Sequence, residues 1–202
     1  MANVALGPSG GEWDMGRMGW LGWALCVLCT ACGASKPAVK APPRVSKAES
    51  TAPARHYVDV ELGLEIVRPG EDWQLDEPAQ PESSEGAAIP VILRNRMTGA
   101  QVVLQVAPAV GSPTQIAEQL NQGLSEQPDF VASELEPLPL SDSAVGFDFQ
   151  VGQGVHGRVA VTEGRPGRLF MMLATWPADA SADCERSVEA LFGAVRPLPE
   201  PG

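Results

Sequence analysis

The sequence predicts an α+β domain, an antiparallel β-sheet flanked by helices, preceded by a signal peptide and a disordered linker. Three observations support this class. Several segments between residues 57 and 176 alternate apolar and polar residues, the period of a half-buried strand. Two other segments repeat apolar residues at helical spacing. A short apolar run near the N-terminus is followed by a stretch rich in Ala, Pro and Lys.

The apolar run from Trp20 to Ala31 is 12 residues long. A helix needs about 20 apolar residues to cross a bilayer, so this run has the length of a signal-peptide core rather than of a membrane span. Arg17 supplies positive charge on its N-terminal side. We therefore predict that residues 1–31 are a signal peptide. Residues 1–14 are unusually polar for this role, so Met15 and Met18 are alternatives to Met1 as the start of translation.

The small residues Thr30 and Ala31 stand directly before Cys32, and Gly33 follows it. This arrangement resembles the lipobox of bacterial lipoproteins, in which small residues precede an invariant cysteine that carries the lipid. The resemblance implies cleavage before Cys32 and a membrane anchor on its thiol. The departure is Cys29, where the family usually has Leu. The alternative is an ordinary secretory signal that is cleaved nearby without lipid.

Residues 32–56 are predicted to hold the lipidated cysteine and a disordered linker. Ala, Pro, Ser and Lys dominate residues 33–54, and this composition buries too little apolar surface to offset the entropy of ordering. The segment carries a net charge of +3, which favours anionic lipid headgroups.

The rest of the chain is strongly acidic. From Arg55 onward it has nine Arg, no Lys and 22 Asp and Glu residues, a net charge of −13. Without a basic surface the domain releases no counterions from a phosphate backbone, which argues against nucleic acid as a partner. The domain is predicted over residues 57–198, a normal single-domain length, and residues 199–202 form a tail.

The first half of the domain contains strand patterns and one capped helix. Val58, Val60 and Leu62 are predicted as the buried face of a first strand, and Gly63 turns the chain. A second strand carries Leu64 and Ile66 toward the core. Further along, Trp73 and Leu75 are predicted to plug the core, residues 76–87 to form an acidic loop, and residues 89–93 and 101–106 to form a hairpin.

Two helices are predicted. Ser112 to Gln115 has the form of a capping box with Pro at the first helical position, and the helix is expected to reach about Gln127. Its buried stripe is Ile116, Leu120 and Leu124. The second helix is expected to begin near Asp179 or Ser181 and to bury Cys184, Val188, Leu191, Phe192 and Val195. Cys184 is the one cysteine left after processing, and this helical phase favours an inert core thiol over a reactive one.

Between the helices, residues 130–140 have a strand-like pattern, and three alternating segments follow. Glycine-containing turns at residues 152–154 and 164–167 separate them. This spacing predicts an antiparallel meander made of residues 145–151, 155–163 and 168–176.

The order of these elements resembles a known family. The opening Tyr57-x-Asp59, the Gly63-Leu64-x-Ile66-x-x-Pro69 string, the later Trp73 and the closing Phe192-Gly-Ala-Val-Arg196 are similar to the PsbP-like fold, which Mog proteins, DcrB-like proteins and LpqN-type bacterial lipoproteins share. The resemblance covers about residues 57–198. It implies an α/β/α sandwich, an accessory or binding role without catalysis, and frequent lipid tethering, and it supplies no catalytic residue.

Three motifs that resemble chemical sites give weaker evidence about function. The Gly-x-Gly-x-x-Gly string from Gly152 to Gly157 precedes a strand pattern, whereas a dinucleotide site needs a helix there. His56 and His156 lack the spacing of a metal site. The pairs Asp59/Glu61 and Glu134/Glu136 are each expected to share one strand face, where solvated carboxylates are common. No catalytic, cofactor-binding or metal-binding residue is predicted.

Two functions follow from the sequence. The first is a lipid-anchored, non-enzymatic binding or assembly module of the cell envelope, held to the inner or outer membrane through Cys32, facing the periplasm or the exterior, with a protein partner. The alternative is an envelope hydrolase that uses a carboxylate pair. The two differ in one structural requirement, because hydrolysis needs two carboxyls that converge in one cleft.

Overall fold

The computed structural model describes residues 56–78 and 86–199. The predicted signal peptide, Cys32, the linker through Arg55, most of the acidic loop and the end of the tail lie outside them. The described strands are β1 (His56–Asp59), β2 (Leu64–Val67), β3 (Trp73–Asp76), β4 (Ala88–Asn95), β5 (Gln101–Pro108), β6 (Phe130–Ala132), β7 (Glu136–Pro137), β8 (Val145–Val151), β9 (Val155–Glu163), β10 (Arg168–Pro177) and β11 (Val195–Pro197), and the helices are α1 (Pro113–Ser125) and α2 (Ala182–Phe192).

Eight of the described strands form one antiparallel sheet. Their order is β3-β4-β5-β10-β9-β8-β6, and β7 pairs with one end of β8. The predicted hairpin is confirmed as β4–β5, and the predicted meander is confirmed as β8–β9–β10. Glycines in these turns adopt positive φ at Gly99, Gly152 and Gly167, a region that residues with a Cβ rarely enter.

One face of this sheet packs against α2. The helix buries Cys184, Val188, Leu191 and Phe192 in a core shared with Leu93, Leu104 and Phe170 of the sheet. The indole Nε1 of Trp73 donates to Oγ of Ser187 at 2.9 Å and so joins β3 to the helix. The predicted burial of Trp73, Cys184 and Phe192 is therefore confirmed.

The other face lies under α1, which packs on β6, β8 and β9. Its capping box is confirmed, because Oγ of Ser112 accepts from the backbone N–H of Gln115 and Oε1 of Gln115 accepts from that of Ser112. Ile116 and Leu124 are buried, and Leu120 is half-buried. Alternate residues of β8 and β9 face α1 and form the sheet side of this second core, namely Phe147, Phe149, Val159 and Val161.

A smaller sheet has the order β1-β2-β11 and adds Leu64, Ile66 and Val195 to the α2-side core. Here one prediction was wrong, because Val58 is 44% exposed and Val60 is 70% exposed. The register pairs Tyr57 with Ile66, so Tyr57 shares the core face of β2 and its neighbour Val58 points away. The strand also ends at Asp59, whose Oδ1 accepts from the backbone N–H of Leu62.

Arg165, in the turn between β9 and β10, connects the two sheets. Its guanidinium donates to the carbonyl oxygens of Val60 at 3.3 Å, Leu198 at 3.4 Å and Pro199 at 3.5 Å. The side chain crosses directly over Gly63, where an added Cβ would lie 2.2 Å from Cδ of Arg165. Gly63 also has φ of 75°, so glycine is required there both by the turn and by the close approach.

Three boundaries differ from the prediction. Val195 is buried but belongs to β11, because α2 ends at Phe192 with Gly193 as its cap. The strand-like segment 130–140 divides into the two short strands β6 and β7, each paired with β8. Trp73 and Leu75, predicted as a core plug, belong to the strand β3, which extends the large sheet by one strand.

The fold class is confirmed as α+β, with a mostly antiparallel sheet and two helices in the described residues. Neither of these helices combines the length and the apolar character that crossing a membrane requires.

Tyr57 provides a direct test of the packing between the small sheet and β4. Its hydroxyl donates to the carbonyl oxygen of Pro90 at 3.5 Å, and burial, then the carboxylates of Asp59 and Glu77, raise the pKa of Tyr57 to about 12. Because the native state holds this proton more tightly than the unfolded chain, the stability that Tyr57 contributes is complete below about pH 10 and is lost as the pH rises toward 12.

Tyr57 is the single tyrosine of the chain, so absorbance near the tyrosinate band reports it alone. We expect a titration midpoint close to pH 12 in the folded protein, and Tyr57→Phe removes the transition as a control. A midpoint near pH 10 with an unchanged circular dichroism spectrum contradicts the packing described for this side chain.

Candidate binding cleft

A cleft of about 340 Å³ opens on the α2 side of the large sheet, over the β6–β8–β9–β10 end. The strand register builds it, because residues paired across antiparallel strands share a face. One cross-strand row is Val131, Gln150, His156 and Trp176, and the adjacent row contains Asp148 and Arg158. Glu185, in the first turn of α2, closes one side.

The β8–β9 turn sets this register. Gly152 has φ of 55°, and its backbone N–H donates to the carbonyl oxygen of Asp129 at 2.8 Å, which joins the turn to the start of β6. The side chain of Gln150 adds a bond from Nε2 to the carbonyl oxygen of Gly152 at 2.9 Å. The polar residues of β8 and β9 are thereby held opposite one another on the cleft side.

Arg158 is the charged centre of the cleft. Its Nε and Nη2 donate to the two carboxylate oxygens of Asp148 at 2.5 and 2.9 Å, and its Nη1 donates to Oε1 of Glu189 at 2.9 Å. The hydrogen bonds to Asp148 are the main cause of a raised pKa for Arg158, with Glu189 adding to them and burial opposing them. This bidentate geometry fixes the guanidinium and the Asp148 carboxylate as one rigid unit.

The net charge of the cleft is negative. Asp148 and Glu189 together outweigh the single charge of Arg158, and Glu185 adds a further exposed carboxylate. Among the described residues Glu185 has no ion-pair partner. A ligand entering the cleft therefore meets an excess of hydrogen-bond acceptors beside apolar surface from Val131 and Trp176.

Gly157 forms part of the cleft wall and has a packing role on the opposite face. It pairs directly with Phe149, whose ring lies against it, so an added Cβ would be 2.2 Å from Cζ of Phe149 and 2.5 Å from the carbonyl oxygen of Ala174. The Phe149 ring stacks in turn on Phe130, with centroids 4.8 Å apart. An aromatic ring that covers a strand glycine in this way compensates for the missing side chain.

The histidines and the carboxylate pairs noted in the sequence do not come together in one site. His56 belongs to the small sheet and lies 3.2 Å from Glu65, whereas His156 lines the cleft. Asp59 and Glu61 do not share a strand, because β1 ends at Asp59, and Glu134 and Glu136 are divided by the gap between β6 and β7. The glycines from Gly152 to Gly154 are turn residues followed by a strand, as predicted.

The cleft carboxylates Asp148 and Glu185 were not singled out from the sequence. One signal was present, because Asp148 and Gln150 alternate with Phe147 and Phe149 and so form the polar face of a strand whose other face is aromatic. Nothing in the linear order associates Glu185 with them, since it follows 37 residues later in a separate helix.

The arrangement favours binding through fixed polar groups. Both oxygens of Asp148 are engaged by Arg158, and the described residues contain no group of three His, Cys, Asp or Glu side chains that could hold a metal ion. Comparison with models of known protein families and with curated proteins finds no match for this chain.

Proposed function

We propose that this chain is a lipid-anchored protein of the cell envelope whose domain is a non-enzymatic binding module, with the cleft around Arg158 as its binding site. The observation that carries the proposal is the ion-pair unit of Arg158 with Asp148 and Glu189, which presents a preformed, charged surface beside a cavity of about 340 Å³. Such preorganised polar groups in a concave site are typical of ligand recognition.

The alternative, carboxylate-based hydrolysis, has partial support from the same cleft. Asp148 and Glu185 both line it, which meets the requirement for two carboxyls in one place. Both oxygens of Asp148, however, accept from Arg158, so hydrolysis would require this carboxylate to act from within a bidentate ion pair. We therefore favour binding over hydrolysis.

The anchor is proposed from the N-terminal sequence. The 12-residue apolar run, the small residues before Cys32 and the basic linker favour a lipid on Cys32 and a chain held at the inner or outer membrane. The domain would then face the periplasm or the exterior. A PsbP-like α/β/α sandwich is consistent with helices on both faces of an antiparallel sheet and completes the proposal.

One experiment on the full chain in bacterial cells tests both halves of this proposal. A photo-cross-linking amino acid replaces Val131, which is 68% exposed at the cleft rim, in the parent chain and in Cys32→Ala. We expect the parent in the membrane fraction and Cys32→Ala in the soluble fraction. Stable anchoring takes more than one acyl chain, and this substitution removes the cysteine that carries them. We also expect a discrete cross-linked product at position 131.

The matched control carries the cross-linker at Val110, which is 82% exposed and does not line the cleft. Equal products at both positions contradict a role for the cleft. Unchanged membrane fractionation of Cys32→Ala contradicts the lipid anchor, because it means that the apolar segment itself holds the chain.

A further inference from the structure

We infer that the cleft and the adjoining edge of β6 together bind an extended, basic segment of a partner polypeptide. This inference rests on the proposed function and specifies the ligand of that same site. It stands on three features of the described residues, namely an open strand edge, a face-sharing register and an excess of carboxylates.

The first feature is the edge itself. β6 is the last strand of the large sheet on this side, so its outer main-chain groups face no further strand. Phe130, Val131 and Ala132 form this edge, and Val131 and Ala132 also line the cleft. The open edge ends at Ala132, because the backbone N–H of the next residue, Ser133, donates to the carbonyl oxygen of Asp148 and its own carbonyl oxygen accepts from Nδ2 of Asn121 in α1. An extended peptide adds to such an edge by main-chain hydrogen bonds and gains its specificity from pockets for alternate side chains.

The second feature is the register. Val131 pairs with Gln150, and Gln150 pairs with His156, so all three side chains are on the cleft face. A residue paired with Val131 from an added strand would lie about 4.8 Å beyond β6 and project to the same face. A long side chain at that position extends over the exposed Val131 into the cleft, and its neighbours along the strand point away.

The third feature is charge. Arg158 is already neutralised by Asp148 and Glu189, which leaves Glu185 and the second oxygen of Glu189 as open acceptors. An anionic ligand would meet net repulsion in this cleft, whereas an ammonium or guanidinium group is attracted. The net charge of −13 from Arg55 onward further favours encounter with a basic segment. Lys or Arg at alternate positions of an extended peptide satisfies all three features.

The test uses the full chain in detergent and a fluorescently labelled peptide of four Lys-Val repeats, with binding measured by anisotropy at about 0.15 M salt. Two comparison peptides are the Glu-Val counterpart and a Lys-Val peptide with one central Val replaced by Pro, which keeps the charge but breaks strand pairing. The protein variants are Glu185→Gln and the matched control Glu163→Gln, an exposed carboxylate at the far end of β9 from His156.

We expect the Lys-Val peptide to bind, the Glu-Val peptide not to bind, and the Pro-containing peptide to bind at least about tenfold more weakly. Glu185→Gln should weaken binding by about two- to fivefold, the range for a solvent-exposed ion pair, and Glu163→Gln should leave it unchanged. Equal binding of the Pro-containing peptide overturns strand addition, and equal effects of the two substitutions overturn the cleft as the cationic site.

The peptide and cross-linking experiments together distinguish a wrong ligand class from a wrong binding site. If the Lys-Val peptide does not bind but position 131 still cross-links selectively in cells, the ligand class assigned here is wrong and the cleft remains a binding site. If position 131 gives no selective product and the peptide does not bind, both are wrong.

Discussion

Trp73→Ala is expected to lower the free energy of unfolding by about 3–5 kcal/mol, a large share of the 5–15 kcal/mol typical of a domain. The side chain is 1% exposed, and it packs where β3, β4 and α2 meet. Its removal leaves a cavity and also deprives Oγ of Ser187 of the 2.9 Å bond from the indole. Oγ of Ser187 then keeps the longer donation from Nδ2 of Asn95 at 3.3 Å.

Urea unfolding of the full chain, followed by circular dichroism, measures this change. Met97→Ala is the matched control, because Met97 is a large apolar residue of the neighbouring hairpin turn that is 77% exposed, and we expect less than about 0.5 kcal/mol there. Similar midpoints for the two variants are incompatible with β3 as a packed strand of this sheet.

Gly157→Ala is expected to cost about 1–3 kcal/mol, although it adds a single methyl group. The new Cβ would stand 2.2 Å from the Phe149 ring and 2.5 Å from the carbonyl oxygen of Ala174. The ring could shift only by disturbing its stack on Phe130, and the carbonyl belongs to the β10 backbone. Neither neighbour yields at low cost, so the strand pairing itself must be distorted.

The same glycine-rich string provides the control. Gly154 has open space around its missing Cβ and no positive φ, so Gly154→Ala should leave stability unchanged or raise it slightly by restricting the unfolded chain. Thermal unfolding of the two variants therefore separates two glycines three residues apart. Equal losses would show that the string is constrained by its turn and not by the contact between Phe149 and Gly157.

Much of the fold was predictable because local and long-range preferences agree there. The β8–β10 meander alternates apolar and polar residues between glycine turns, and each segment pairs with its neighbour in sequence. Likewise, the capping box at Ser112 depends only on four consecutive residues. Such features require no knowledge of distant contacts.

The buried face of the first strand was not predictable from its local pattern. Val58 and Val60 alternate with acidic residues as a buried strand face should, yet both are exposed. The phase of Val58 is decided by the pairing of Tyr57 with Ile66, and Tyr57 gains more from burial as the larger side chain. Val60 lies beyond the end of the strand at Asp59. A shift of one residue in register reverses the exposed and buried faces, and two valines cannot determine it alone.

The cleft was not predictable for a different reason. Its charged residues come from β8, β9 and α2, so their proximity depends on the sheet order and on where α2 crosses it. Asp148 and Arg158 are ten residues apart and meet through a turn, whereas Glu189 reaches Arg158 from 31 residues further along the chain. Charge pairing of this kind leaves no periodic pattern in the sequence.

The contacts of Arg165 have a mechanical consequence. A force applied to the chain before His56 acts first on the open end of the β1–β2 hairpin, where His56 pairs with Val67. The residue pairs of this hairpin therefore bear the force one after another. Past β1, the force meets the carbonyl of Val60, which the guanidinium of Arg165 holds to the turn between β9 and β10. Under tension β1 can therefore separate from β2 while the large sheet and its cleft keep their geometry.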